Sequence, residues 1–546
     1  MPFSFLIDFN AMQNGSFSPE LDLAIVGAGF SGLYSGWRWL TSPTGRGTRS
    51  TVFECSDRVG GRLLTVQPPG MPEARVELGG MRFTSEQKLV QALIADMQLE
   101  TEPFKVSEPG NVAYLRGRHL KTADLVHPER VPYDIPEKDY EGFQCGFTAL
   151  AAKRFLGKVL KTSDVDLMKV DWDAVADSGM YDGHAVSDLT MRYAYSHSMN
   201  HESFQFAEDS SGYGSIFRTW NAADGFVWNL DDYGADVSYW RLKNGFETVP
   251  IKLRERYVSA GGEMCYHHRL SSFDTVRLAD GSEGVELHFE VGEEVLVVYA
   301  RRLILAMPRR SLELLEKRGA VLGSKHQDVH KLIRSVVPIP LFKLVLCYRN
   351  RWWEDMGIKR GQSVTDLPLR QCYYWPVGGN TKAGAILIYN DGHGMDYWEG
   401  LRGHPDKFLN EPHLDGTQLP TEEWKQHPAP ALMVKEAHRQ LLAMHNATDT
   451  PERKPYAAAY RDWGDDPYGG GANFWRQHVK SREVSRRIVQ PVSGIPVYIC
   501  GEAYSHAQGW VEGALMTAED LLQNHLGLAA PDFMPKTKPG HHLHGY

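Results

Sequence analysis

A mixed α/β (α+β) fold is predicted by three stretches of this 546-residue chain. The first is an apolar run, Leu23-Ala24-Ile25-Val26, that opens into Gly27-Ala28-Gly29-Phe30-Ser31-Gly32 and continues in the helical pattern of Leu33 to Leu40. The second is a further strand pattern, Ser50-Thr51-Val52-Phe53, closed by Glu54. The third lies near the other end, where Pro496-Val497-Tyr498-Ile499-Cys500 opens into Gly501-Glu502-Ala503-Tyr504. Strand, glycine turn, helix and acid-ended strand, in that order, make a Rossmann-like nucleotide-binding unit.

Each part answers a chemical need. Gly27 permits the tight turn, Gly29 lets backbone approach a pyrophosphate with no Cβ in the way, and Gly32 lets the helix lie close to the strand. The unpaired N–H groups at the helix start, including those of Ala28 and Ser31, then face an anion. Glu54 follows the glycines by roughly twenty residues, where an acid accepts hydrogen bonds from a ribose diol.

The continuation narrows the ligand. After Glu54 come Cys55-Ser56-Asp57-Arg58-Val59-Gly60-Gly61-Arg62 and then Glu77-Leu78-Gly79-Gly80-Met81-Arg82-Phe83. An acid, an arginine-containing turn, a Gly-Gly-Arg and a later acid-x-Gly-Gly resemble the FAD-dependent amine oxidase superfamily. Gly501-Glu502 and Gly509-Trp510-Val511-Glu512-Gly513-Ala514, leading into a helix through Leu522, resemble the segment that holds the ribityl chain and pyrimidine edge of the flavin there. The resemblance implies non-covalent FAD, because Gly501–Trp510 lacks the cysteine that some monoamine oxidases use for attachment. It also implies cofactor contacts from Gly61, Arg62, Gly80, Met81, Arg82, Leu270, Gly501, Glu502, Trp510 and Val511. His267 and His268, beside Leu270, read as ordinary sheet residues.

Within that superfamily the chain is most similar to L-amino-acid oxidases. Arg82 stands where their arginine binds the substrate carboxylate, a task suited to a planar fork that stays charged; a bridge to a flavin phosphate or to Glu77 is the competing role. Thr365-Asp366-Leu367-Pro368-Leu369-Arg370-Gln371-Cys372-Tyr373-Tyr374 resembles a strand whose tyrosine completes the clamp. Neighbouring strand residues face opposite sides, so only one of Tyr373 and Tyr374 can serve. Gly509 and Trp510 resemble a glycine–aromatic pocket wall. Lys343, on the apolar strand pattern Pro340 to Tyr348, matches a lysine that holds water near the flavin N5; an edge-strand lysine reaching solvent is the alternative.

The domain organisation expected on this reading is interleaved. FAD-binding parts occupy 20–110, 239–335 and 481–526, a helical substrate-entrance region 111–238, a substrate-binding sheet domain 336–480, and a mobile tail 527–546. The helix patterns Phe147 to Leu160 and Glu247 to Ala260 belong to the second and third of these in chain order. Strands are expected at Glu263 to His267, Gly284 to Val291, Val295 to Ala300 and Arg302 to Pro308. The loop Asp465 to Ala472 resembles one near the pocket, while Asp231 or Asp232 would either select a cationic side chain or form a solvated turn.

Composition excludes other classes. A net charge of −9 with no long basic run argues against nucleic acid. Six cysteines without C-x-x-C spacing suit a reducing compartment and give no metal pattern. No apolar run is long enough to span a membrane, and Met1 to Glu20 lacks a basic region and a long apolar stretch, so a cytoplasmic location is the expectation. His541, His542 and His544 read as a solvated tail rather than a metal site. The activity expected is FAD-dependent oxidation of L-amino acids by O₂, broad toward hydrophobic and aromatic side chains, giving 2-oxo acid, ammonia and hydrogen peroxide. The rivals are an amine oxidase or an amide-forming amino-acid monooxygenase of the same fold, and a nucleotide-binding protein without turnover. Many members of the superfamily are dimers, which makes a homodimer the expectation by resemblance.

Overall fold

The computed structural model describes residues 21–232, 237–411 and 420–534. Five short strands form one parallel sheet in the order Glu263–Cys265, Ser50–Phe53, Leu23–Val26, Leu303–Leu305, Val497–Ile499. Its members come from three distant parts of the chain, as the interleaved organisation requires. The central strand is buried throughout, which is why it is apolar at every position rather than at alternate ones. Leu23 and Ile25 pack into a core with the helices Phe30–Thr41, Thr248–Ser259 and Val511–Asp520. Ala24 and Val26 point the other way, toward a core shared with an antiparallel meander, Arg269–Arg277, Glu283–Val291 and Glu294–Ala300.

A second, seven-stranded sheet runs in the order Pro455–Asp462, Leu341–Tyr348, Gly384–Asp391, Gln371–Trp375, Gly361–Thr365, Val112–Leu115, Arg118–Lys121. Its two faces differ. Phe342, Leu344, Leu346 and Tyr374 pack against the helix Ala431–Met444, whereas Val345, Cys347 and Tyr373 pack against Leu64, Leu78 and Met81 of the glycine-rich segment. Lys343 shares the parity of Val345 and Cys347, so its side chain leaves the sheet toward that segment. The helices Phe147–Leu160, Met191–Ser198, His201–Ser211 and Ala222–Asp232 form a cluster around Phe155, Tyr195, Phe204 and Phe226.

The structure departs from the sequence expectations at four places. The region after Asn111 opens with two strands at the edge of the large sheet, not with helix. The stretch Thr365 to Tyr374 is not one strand: the backbone folds back between Thr365 and Gln371, with Thr365 N–H on the Arg370 carbonyl at 2.8 Å and Arg370 at φ +60°. The strand Arg269–Arg277 is not expected from the sequence, because its half-buried polar residues break the apolar pattern. Asp231 and the backbone of Asp232 end a helix rather than forming a turn. His541, His542, His544 and the stretch Met1 to Glu20 lie outside the described residues. Among the described residues no helix is long and apolar enough to cross a membrane.

Candidate active site

A cavity of about 420 Å³ runs from the glycine turn to the face of the large sheet. Gly27, Gly29, Ser31, Glu54, Gly61, Arg62, Gly80, Met81, Leu270, Gly501, Glu502 and Val511 line it, together with Arg82, Lys343, Gly509 and Trp510. Four predicted residues do not: Ala28, Gly32, Tyr373 and Tyr374 are absent from its wall.

The glycine turn shows why. A Cβ on Gly32 would stand 2.0 Å from the Gly27 carbonyl oxygen, so Gly32 serves helix–strand packing and not the ligand. Gly27, at φ +109°, would bring a Cβ within 2.5 Å of the Ala306 carbonyl oxygen. A Cβ on Gly29 meets nothing within 4 Å, leaving the space a pyrophosphate needs beside the start of the Phe30–Thr41 helix. The Ala28 N–H donates at 2.8 Å to Glu54 Oε2 and so is committed to the protein. Glu54 Oε1 meanwhile accepts from Ser56 N–H at 2.9 Å and Ser56 Oγ at 2.8 Å, which holds the carboxylate at the cavity rim.

Toward the far end, Glu502 ties three segments together. It pairs with Arg62 and accepts from Asn473 Nδ2 at 2.8 Å and from Gly509 N–H at 2.9 Å. Gly509 sits at φ +79°, and Trp510 caps the Val511–Asp520 helix. The loop expected near the pocket is there: Asp466, Tyr468, Gly469, Gly471 and Ala472 line the wall. Met307 and Pro308, at the end of the Leu303–Leu305 strand, do the same.

Two cations mark the sheet end. Lys343, only 2% exposed, donates to the Gly79 carbonyl and stands 5.0 Å from the Tyr389 ring centre. Burial pulls its ammonium toward neutrality; Glu77 opposes that and Arg82 adds to it. Glu77 is itself buried and pushed up by desolvation, although Thr65 Oγ1 at 2.7 Å and Phe246 N–H at 2.8 Å both donate to it. Arg82 is 4% exposed, with its guanidinium carbon 4.4 Å from the Tyr239 ring centre. One terminal nitrogen lies 3.5 Å from the Tyr373 hydroxyl and the other 3.4 Å from that of Tyr213.

The choice between Tyr373 and Tyr374 is decided by the register of the large sheet. Tyr374 turns to the opposite face, where its hydroxyl lies 2.7 Å from Ser363 Oγ and 2.5 Å from His445 Nε2, far from the cavity wall. Tyr373 turns toward Arg82 without joining the cavity wall, and its hydroxyl lies 3.1 Å from that of Tyr213, which does line it. His268, read as an ordinary sheet residue, lines the wall beside Arg269 and Leu270.

Sequence reasoning missed Tyr213, Trp228, Tyr389, Asp391 and Trp463, all on the wall. Tyr389 was discoverable only through its pairing with Lys343 across two strands. Tyr213 follows a helix in a stretch with no motif, and no local pattern points to it.

A model described as flavin containing amine oxidoreductase matches residues 31–411. The chain belongs to this family. FAD is accordingly its cofactor, and the open space at Gly29, the rim carboxylate of Glu54 and the continuous cavity fit that molecule. Relatives of this flavin amine oxidoreductase include Aplysianin-A of Aplysia kurodai, 27% identical over 92% of this chain and 90% of the relative. Achacin of Lissachatina fulica is 23% identical over 93% of each. An L-amino-acid oxidase of Protobothrops flavoviridis is 21% identical over 90% of this chain and 86% of the relative. Among solved structures, a redesigned putrescine oxidase superposes with a TM-score of 0.65 at 16% identity, covering 93% of this chain and 98% of the other. Cyclohexylamine oxidase from Brevibacterium oxydans gives 0.63 at 16% identity, covering 92% and 100%. At such identities the structural likeness speaks for the fold.

Proposed function

We propose that this flavin amine oxidoreductase oxidises L-amino acids, with water and O₂, to 2-oxo acids, ammonia and hydrogen peroxide. The observation that carries the reading is Arg82, a buried guanidinium on the cavity wall between aromatic rings. A neutral or cationic amine has no use for a cation there, whereas a carboxylate entering the cavity gains a bidentate, charge-assisted partner in a water-poor site. The L-amino-acid oxidases among the relatives support the same substrate class.

The chain's own residues supply orientation. Arg82 holds the carboxylate, and Trp510 and the wall residues Ile216, Trp228, Leu341 and Phe474 leave apolar room for a large or varied side chain. Contacts of this kind to the carboxylate and to the side chain orient the substrate, and positioning is the main contribution a protein makes to this kind of step. Bound FAD supplies the two-electron oxidation of the Cα–N bond and passes the electrons to O₂. Lys343, buried and drawn toward its neutral form, donates to the Gly79 carbonyl and has further hydrogen-bonding capacity for a water within the same cavity.

The test is peroxide release from the holoenzyme across the twenty L-amino acids, their D-forms and their decarboxylated amines. Turnover of L-amino acids alone is expected. Turnover of the amines with the amino acids inert would replace the reading by an amine oxidase.

A further inference from the structure

The reading above needs a second group beside Arg82, because a guanidinium alone fixes a carboxylate but not its rotation about the fork. The strand tyrosine expected for that task does not reach the cavity. Tyr213 does: it lines the wall, and its hydroxyl is 3.4 Å from one Arg82 nitrogen and 3.1 Å from the Tyr373 hydroxyl. We propose that Tyr213, carried by the helical segment, is the hydroxyl that shares the substrate carboxylate with Arg82, and that Tyr373 acts through it as a positioning residue.

Tyr213 is held on several sides. Its ring meets that of Tyr389 edge-on at 5.5 Å, the same ring that faces Lys343. Its own N–H donates to Ser211 Oγ at 3.1 Å. The following turn is gripped by buried Asp391, whose two oxygens accept from Gly214 N–H at 3.0 Å and Ser215 N–H at 3.1 Å and from Ser215 Oγ. Asp391 ends the strand that pairs with that of Lys343, so the large sheet fixes where the helical segment delivers this hydroxyl.

This inference rests on the amino-acid oxidase reading, and the experiment separates the two. Benzoate is titrated into the FAD-loaded enzyme and its binding followed by the visible absorbance of the flavin, for wild type, Arg82→Met, Tyr213→Phe and Tyr373→Phe. Tyr213→Phe keeps the ring against Tyr389, so the fold is preserved. The expected result is loss of binding in Arg82→Met, about tenfold or more weakening in Tyr213→Phe, and a smaller loss in Tyr373→Phe. The KM for L-amino acids should rise with Tyr213→Phe by the same factor. Loss in Arg82→Met with Tyr213→Phe unchanged, or with Tyr373→Phe the weaker binder, overturns the role of Tyr213 and leaves the function standing. Undiminished benzoate binding in Arg82→Met overturns both.

Discussion

A methyl group at Gly29 and one at Gly32 have opposite expected consequences, although the residues are three apart in one loop. Gly29 has an ordinary backbone conformation, φ −73° and ψ −174°, and open space around its Cβ position. Gly29→Ala should therefore leave the melting temperature of the FAD-free protein unchanged or slightly raised, and weaken FAD binding about tenfold or more by filling the pyrophosphate space. Gly32→Ala meets backbone at 2.0 Å and should lower the melting temperature of the FAD-free protein itself. Thermal denaturation with and without FAD checks both; equal stability losses in the two variants would show that Gly29 is a packing residue. The motif made this legible in advance, since each glycine has a stated steric duty. Tyr213 was illegible at this scale because nothing in its local sequence distinguishes it from the other tyrosines of the chain.

At the scale of elements, alternation along a strand told that one of Tyr373 and Tyr374 faces away, but not which. That depends on register: Tyr373 pairs with Gln362 and Leu387, Tyr374 with Gly361 and Ile386. The face that Tyr374 joins carries a directed chain of hydrogen bonds. Val112 N–H donates to Ser363 Oγ at 3.0 Å, Ser363 and Tyr374 hydroxyls meet at 2.7 Å, and His445 Nδ1 lies 2.6 Å from the Leu441 carbonyl. A carbonyl only accepts, so Nδ1 carries the proton and Nε2 accepts from Tyr374. Burial holds this neutral imidazole's pKa down to about 4. The unfolded chain takes up that proton near pH 6.5 and the folded chain only near 4, so stability from this site is complete above the first value and lost as pH falls toward the second. Denaturant unfolding of wild type should show a decline of up to about 1.4 kcal/mol per pH unit from this one group in that window. His445→Gln should be flatter there; an identical slope would mean that the ring is not held neutral.

For the whole molecule, the order of segments was readable while their junctions were not. Three short strand patterns rich in apolar or β-branched residues, with glycine or acid at their C-terminal ends, announced one parallel sheet, because strands buried on both faces carry few strongly polar residues. The first meander strand, Arg269–Arg277, and the edge strands at Val112–Leu115 and Arg118–Lys121 were harder, since half-buried strands mix polar and apolar residues and resemble loops. The cavity is a property of the assembled chain: Arg82 comes from the glycine-rich part, Lys343 from the large sheet, Tyr213 from the helices and Trp510 from the final helix cap. On the proposed reading, Arg82 among aromatic rings is the feature of its wall that favours an amino acid over an amine. The most direct measurement is kcat/KM of Arg82→Met for an L-amino acid and for its decarboxylated amine, each relative to wild type. The account predicts a fall of about a hundredfold or more with the amino acid, the loss expected when one partner of a buried charged pair is removed, and no comparable fall with the amine. Equal effects on the two substrates, or none on either, would contradict it.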